Sequence, residues 1–301
     1  MADTIETPQD LKRRARSARW ETFRRGLYRF RSNALSMVGL SALIIVLIVA
    51  VAAPYIVPFP EDATGKTHVM ERLKPPSKEH PFGTDKVGRD IFSRVLMGTG
   101  LALRVGVVII VLASAIGVTI GAVAAYFGGW VDDILMRITD IFLTVPALVL
   151  AIAITAALGK GITNVMFGIS LVWWPGFARL TRSLVLSLRE DAFVEAANGI
   201  GSSHLRVLFR HILPNAVSPI IVKMSTDFGF AVLTAAALGF IGLGAQPPTP
   251  EWGAMINDGR AYFPEEWWIA TFPGLAIFVV VFSWNLLGDG LRDVLDPRSR
   301  R

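Results

Sequence analysis

Long uncharged apolar runs alternate with shorter polar segments along most of this chain. A helix needs roughly 20 apolar residues to cross a bilayer core of about 30 Å. Runs near this length predict six transmembrane helices and therefore an all-α polytopic membrane protein. The predicted spans cover Val38–Ile56, Val105–Phe127, Ile141–Leu158, Ile162–Phe177, Phe228–Gln246 and Trp267–Gly288.

The ends of three spans extend beyond the uncharged runs. The fourth is expected to continue through Arg179, whose long side chain can reach the membrane interface. The fifth is expected to begin near Pro214, because proline suits the first turn of a helix. Before the second span, Ile91, Val95 and Leu96 form a short apolar face that predicts a helix leading into it.

An amphipathic pattern precedes the first span. Residues 12–31 place Trp20, Phe23, Leu27 and Phe30 at steps of three or four, with arginines between them. This spacing favours a helix lying in the membrane interface over a disordered basic tail.

Composition agrees with a membrane protein. Of 301 residues, 52% are hydrophobic and only 18% are charged, whereas soluble domains average about 25% charged residues. The excess of 30 Lys and Arg over 24 Asp and Glu is typical of basic cytoplasmic loops, and no nucleic-acid partner is expected. Without cysteines there is no disulfide, no Cys-ligated zinc and no thiol nucleophile.

The distribution of basic residues predicts the topology. Arginines concentrate before the first span, after the fourth span and after the sixth, and six spans with a cytoplasmic N-terminus place all three segments inside, as the positive-inside rule requires. We therefore expect a cytoplasmic tail over residues 1–33, a membrane domain over 34–290 that contains a polar loop at 183–214, and a cytoplasmic tail over 291–301.

Candidate catalytic, cofactor and metal sites are weak. The sequence GKT at Gly65–Thr67 resembles the end of a phosphate-binding loop, but Pro60 stands where that loop needs glycine, so ATP binding by this chain is not expected. The topology places His68 and His80 outside and His204 and His211 inside, so the four histidines cannot share one metal ion. No catalytic, cofactor or metal residue is predicted.

Two ionisable residues fall inside the fifth span. Lys223 and Asp227 lie four residues apart, on one face of the predicted helix. Ionisable groups at that depth face partners or a watery cavity. They either neutralise each other while packing the bundle or line a path for a solute. In the second span, Gly117 and Gly121 form a small-xxx-small face that allows close helix contact.

The segment VEAANGIGSSHLRVLFRHILPN, residues 194–215, predicts a basic helical hairpin between the fourth and fifth spans. Asp191 can cap the first helix, Gly201 breaks it, and Ser202 or Ser203 can cap the second. An apolar stripe on an inward-facing loop suits insertion into a partner's groove, although such a hairpin can also lie on lipid. The stripe consists of Leu205, Leu208, Phe209 and Ile212.

The hairpin resembles the EAA loop of the membrane subunits of binding-protein-dependent ABC importers. Three further blocks are similar to the C-type permeases of the dipeptide, oligopeptide and nickel group: residues 82–94, 236–260 and 272–298. The motif positions carried over from the family are Glu195, Ala196, Ala197, Gly201, Leu213 and Pro214, with His211 at a position that is usually aliphatic.

This resemblance implies a six-helix subunit of a bacterial inner membrane whose loop acts as the coupling element for ATPases. The implied partners are a homologous B-type permease, two cytoplasmic ATPases, an extracytoplasmic solute-binding protein, membrane lipid and a peptide substrate. The implied mechanism is alternating access without chemistry or a cofactor on this chain. A nickel or metal-chelate importer of the same family is the alternative, and an ion-coupled secondary transporter is a more distant one.

Overall fold

The computed structural model describes residues 24, 26–28 and 30–295, and this part of the chain contains helices but no β-strand. Four helices are long and apolar enough to cross a membrane. They are α1 (Ala34–Ile56), α2 (Ile91–Phe127), α7 (His204–Phe240) and α9 (Trp268–Leu295). The others are α3 (Gly129–Thr144), α4 (Ala147–Leu158), α5 (Ile162–Leu188), α6 (Ala192–Gly199) and α8 (Trp252–Gly259).

The third predicted span, Ile141–Leu158, is wrong as a single helix. Its first residues belong to α3, and the axes of α3 and α4 differ by 93° across a short break. Val145 has extended backbone angles there and Pro146 follows it. A residue before proline is pushed out of the helical region, and proline cannot donate to the preceding turn. The continuous apolar run therefore contains a sharp bend between two helices.

The fourth predicted span corresponds to α5, which continues through Arg179 to Leu188 as expected. With 27 residues, it is about 40 Å long, but it is less apolar than the four helices named above. Six spans are obtained when the bent pair of α3 and α4 counts as one and α5 as another.

The two ends of the described chain lie together at one end of the bundle. Asn33, which caps α1, donates from its side-chain amide to Asp293 near the end of α9, at 3.3 Å. The ring of Phe30 packs on Gly290 in the same region. We call this end of the bundle the terminal end. The opposite end contains residues 57–90 and 241–267. Arg94, in the first turn of α2, joins the two segments by donating hydrogen bonds to the carbonyl oxygens of Asp62 and Pro248.

The core of the bundle lies where α2 packs on α5. Atoms of Trp174 and Ala178 occupy the space where Gly117 and Gly121 would carry side chains, which confirms the close contact expected from the small-xxx-small face. On the other side of the core, the rings of Phe228 and Trp284 stack at 3.9 Å between α7 and α9.

The predicted lead-in helix before the second span is confirmed, because α2 begins at Ile91 and continues unbroken. Asp90 caps it by accepting a hydrogen bond from the backbone N–H of Ser93 at 2.7 Å. Most of the predicted interfacial helix over residues 12–31, including Trp20 and Phe23, lies outside the described residues. Of its aromatic and aliphatic positions, Leu27 is exposed and Phe30 is buried.

Candidate functional site

The polar hairpin between α5 and α7 lies at the terminal end of the bundle. Its first helix, α6, ends at a Schellman motif in which Gly201, at φ +76°, provides the left-handed residue. The N–H of Gly201 donates to the carbonyl of Asn198, and that of Ser202 donates to the carbonyl of Ala197. The predicted break at Gly201 is therefore confirmed. Asp191 and Ser203 occupy the N-cap positions, but neither side chain donates or accepts a capping hydrogen bond.

The second arm of the hairpin is not a separate helix. The chain is helical from His204 to Phe240, and residues Val207–Ile212 form a π-helical turn within it. In this turn the N–H of Leu213 reaches back to the carbonyl of Leu208. Proline has no N–H to donate, and the wider turn just before Pro214 leads directly into α-helix rather than into a new helix start. Such π-turns occur mostly as single-turn insertions within α-helices.

The expected single apolar stripe on this arm is wrong, because its four residues divide between two faces. Leu208 and Ile212 are buried, whereas Leu205 and Phe209 are 64% and 62% exposed. Leu208 and Phe209 are adjacent in the chain, so their side chains point about 100° apart even in a regular helix, and here only Leu208 faces the bundle. Val207 joins the buried side instead.

The family-motif residues of α6 face two ways. Glu195 and Ala196 are exposed, while Ala197 is buried together with Val194. Further along, Gly201 and Pro214 are exposed, and His211 and Leu213 are half-buried at the end of the π-turn. The structure thus brings the motif residues into one hairpin but presents only part of them at its surface.

Large apolar side chains surround the exposed motif residues. Phe193, Ile200, Leu205 and Phe209 are each between 40% and 83% exposed. We call these four residues the hairpin surface. An exposed apolar group of this kind, flanked by arginines, is typical of a binding surface for a partner or for lipid.

The base of the hairpin is anchored to the bundle. The buried side chains of Val194, Ala197, Val207, Leu208 and Ile212 pack with Ala122 and Ala125 of α2 and with Val185 of α5. Tyr126 and the Nδ1 atom of His204 are joined by a hydrogen bond of 3.0 Å. Arg189 donates to the carbonyl of Ala125 at 3.0 Å. These contacts link the position of the hairpin to α2 and α5.

Two ion pairs between α3 and α5 were not singled out from the sequence. Arg182 donates two hydrogen bonds to Asp132, of 2.6 and 2.5 Å, and Arg179 donates one to Asp140 at 2.6 Å. They line an open cleft of about 670 Å³. The detectable signal was the pair of acids just before the third predicted span and the pair of arginines just after the fourth apolar run. Two consecutive antiparallel spans bring these positions to the same end of the bundle.

Lys223 and Asp227 form an ion pair of 2.8 Å on α7, as their spacing of four residues predicts. Both side chains are partly exposed, at 29% and 23%, and the Lys223 ammonium lies 5.1 Å from the centre of the Phe177 ring. The two side chains are therefore neither fully buried in the core nor fully exposed. It lies ten residues beyond Leu213 on the same helix, a separation of about 15 Å along the axis.

The GKT segment does not form a phosphate-binding loop. Gly65 and Lys66 follow a short helical turn, Pro60–Ala63, and the Lys66 ammonium is paired with Glu61 at 3.0 Å. A phosphate-binding loop would instead connect a strand to a helix.

Comparison with known proteins agrees with this architecture. Residues 117–301 match the family described as "Binding-protein-dependent transport system inner membrane component", and residues 20–76 match the "N-terminal TM domain of oligopeptide transport permease C". A dipeptide transport system permease protein, DppC, from Alkalihalophilus pseudofirmus is 44% identical over 92% of this chain and 90% of its own length. Glutathione transport system permease proteins, GsiD, from Escherichia coli and Shigella boydii are 45% identical over 93% of this chain and 91% of their own.

The first of these matches covers more than half of the chain, and the second covers its beginning. Together with the apolar helices and the hairpin, they identify an ABC-importer subunit that crosses the inner membrane several times. The chain belongs to the binding-protein-dependent transport system inner membrane components, as a C-type permease of the dipeptide and oligopeptide group.

Proposed function

We propose that this permease carries dipeptides or short oligopeptides across the inner membrane of a bacterium, driven by ATP hydrolysis on partner subunits. The similarity to a dipeptide transport permease over 92% of the chain supports the substrate class. The chain itself supplies the membrane path and the coupling to the ATPases, and performs no chemistry.

The hairpin carries the coupling part of the proposal. It presents Glu195 and Ala196 beside the hairpin surface, while its opposite side is packed against α2 and α5. If an ATPase groove binds this surface, a movement of the ATPase would move the hairpin. Because the base of the hairpin packs against α2 and α5, the movement would be passed to these two core helices. Apolar anchors with a nearby charge are what helix-in-groove recognition uses.

The terminal end of the bundle is proposed to face the cytoplasm, with both termini there. Arg182, Arg189, Arg206 and Arg210 all lie near this end, on α5, after it, or on the hairpin. The positive-inside rule supports this orientation. It leaves residues 57–90 and 241–267 on the outer face.

The proposed assembly contains a homologous B-type permease beside this chain, two ATPases below it and a solute-binding protein that docks on the outer loops. In the alternating-access cycle, closure of the ATPases moves the hairpins and opens the path outward, where the binding protein releases its peptide. Lys223 and Asp227 are proposed to line that path, because each is partly exposed within the membrane domain.

One other cargo is supported by a specific observation. The glutathione permeases at 45% identity make glutathione a second candidate substrate. A nickel or metal-chelate cargo remains an alternative within the family. An ion-coupled secondary transporter is a distant alternative that would use the Lys223–Asp227 pair as its coupling site.

The test is uptake of a radiolabelled dipeptide into cells that express this chain with its partner subunits. We expect uptake that vanadate abolishes, ATPases that co-purify with the permease, and competition by unlabelled dipeptide. Uptake that resists vanadate but collapses with the ion gradient would instead support a secondary transporter. Competition by glutathione or by a nickel chelate, but not by dipeptide, would retain the importer and replace the substrate.

A further inference from the structure

The outer loop between α1 and α2 contains a buried histidine with an unusual environment. His80 is only 2% exposed, and its Nδ1–H donates to the Asp90 carboxylate at 2.9 Å. The other oxygen of Asp90 accepts the N–H of Ser93, as the cap of α2. A carboxylate that accepts both of these bonds fixes the proton of a neutral imidazole on Nδ1 and leaves a lone pair on Nε2.

That free nitrogen points toward carboxylates. Among the described residues, His80 Nε2 is a buried polar atom with no hydrogen-bond partner. Its nearest charged neighbour is Glu71, whose Oε2 lies 3.6 Å away, beyond hydrogen-bond distance. Glu79 completes a group in which one ligand atom from each of the three residues lies within 4.8 Å of the others.

The spacing within this group fits a shared cation. Two ligands bound tetrahedrally to zinc at about 2.1 Å are separated from each other by about 3.4 Å. The 3.6 Å between His80 Nε2 and Glu71 Oε2 is close to this value, and the 4.8 Å limit on the group means that a small shift of the exposed Glu79 side chain closes it. One imidazole and two carboxylates suit zinc and its neighbours in the first transition row.

The residues around the group support binding rather than oppose it. Asp90 behind His80 reproduces the carboxylate–histidine–metal arrangement, which orients the ring and raises its basicity. Lys74 donates to the other oxygen of Glu71, at 3.2 Å, and does not occupy Oε2. The backbone carbonyl of Glu71 accepts a short hydrogen bond from the Thr84 hydroxyl, which fixes the segment that carries this ligand.

We propose that Glu71, Glu79 and His80 bind a divalent transition-metal ion, with Zn²⁺ the best match, on the outer loop of this permease. The ion has three protein ligands, and because Glu79 is exposed the fourth position is open to water. It joins the short helical turn Val69–Glu71 to the bend at residues 78–80, in the loop that precedes α2.

The test uses the full chain purified with its partner permease in lipid nanodiscs. After EDTA treatment and buffer exchange, Zn²⁺ binding is measured by equilibrium dialysis with metal analysis. We expect about one tightly bound Zn²⁺ per chain. Glu79→Gln, at an exposed position where the fold should be unaffected, should weaken this binding at least tenfold, and so should Glu71→Gln.

Two controls separate this site from adventitious binding. Glu265→Gln removes an exposed acid from the same face of the protein, and His211→Gln removes a histidine from the opposite end. Both should bind Zn²⁺ as the wild type does. If the wild type binds no stoichiometric Zn²⁺, or if Glu79→Gln and Glu71→Gln bind it as tightly as the wild type, the proposal is overturned.

Discussion

Gly121 of α2 lies against the backbone carbonyl of Ala178 on α5, so closely that a methyl group on Gly121 would overlap the carbonyl oxygen. Gly117 has the same relationship to the carbonyl of Trp174, one turn earlier on both helices. Because the atoms in the way are backbone atoms, no side-chain rotation can make room. The two helices can keep their separation only while both positions remain glycine.

Replacing Gly121 with alanine should therefore destabilise the protein by about 1–3 kcal/mol, the usual cost of overpacking. Gly100 on the same helix is the matched control, since its nearest neighbour lies at an ordinary 3.5 Å. Gly100→Ala should be neutral or slightly stabilising, because alanine favours helix. Thermal unfolding of the purified variants in detergent measures both. Equal midpoints for Gly121→Ala and Gly100→Ala would contradict the close contact.

A pH-dependent stability is expected from Glu251, which caps α8 at the end of the bundle opposite the terminal end. Its carboxylate accepts hydrogen bonds from the N–H groups of Gly253 and Ala254, at 2.7 and 2.8 Å. Burial nevertheless raises the pKa of Glu251 above its ordinary value, and the two hydrogen bonds only partly offset this. The folded protein therefore holds this proton more tightly than the unfolded chain.

The free energy of unfolding should then fall as the pH rises from the ordinary glutamate pKa through the raised one. Glu251→Gln keeps one acceptor but cannot ionise, so it should remove this part of the slope even if the lost hydrogen bond lowers stability at every pH. Thermal unfolding from about pH 5 to about pH 8 measures the slope. Glu265→Gln, at an exposed acid, should keep it. An unchanged slope in Glu251→Gln would mean that burial does not control this carboxyl.

The Lys223–Asp227 pair allows packing and transport roles to be separated. Lys223→Met alone should lower the amount of folded protein, because it leaves the Asp227 charge without its partner. The double variant Lys223→Met with Asp227→Asn removes both charges and should restore that amount. If the pair lines the path, dipeptide uptake by the double variant remains reduced at equal expression. Wild-type uptake at that expression level would assign the pair to packing alone.

The hairpin should tolerate changes on one face and not on the other. Glu195→Lys and Ala196→Trp alter exposed positions, so they should leave the membrane level unchanged while reducing co-purification of the ATPases and uptake. Ala197→Leu instead enlarges a side chain that is 6% exposed in the packed base, and it should lower stability first. Normal uptake by Glu195→Lys at normal expression would argue against coupling through this surface.

Much of the fold follows from short-range rules that can be applied to the sequence. Gly201 ends α6 because a glycine followed by two serines suits a left-handed cap and a new helix start. The spacing of Gly117 and Gly121 predicts close contact with another helix, although not that the other helix is α5. The pairing of Lys223 with Asp227 follows from helix periodicity. In each case the residues that carry the signal are close together in the chain.

The predictions that were wrong concern features that hydropathy and local motifs do not reveal. The apolar run through Val145 and Pro146 has the length of a span, yet its backbone turns through 93°. Pro214 resembles a helix start, but the π-turn before it joins the hairpin arm to the span. The prediction for the histidines treats them only as ligands for one another. The approach of Glu71 and Glu79 to His80 depends on the conformation of the loop, which the spacing of residues does not reveal.

The unbroken helix from His204 to Phe240 has a mechanical consequence. Its 37 residues form a rod of about 55 Å, with the hairpin surface at one end and the ion pair of Lys223 and Asp227 near its middle. A continuous helix converts a push at one end into a tilt along its length. Two features between the hairpin surface and the ion pair interrupt its regular hydrogen bonding: the π-turn at Val207–Ile212 and Pro219, which has no N–H to donate to the preceding turn. The stiffness of the helix at these two points decides how much of a displacement at the hairpin reaches the charged pair.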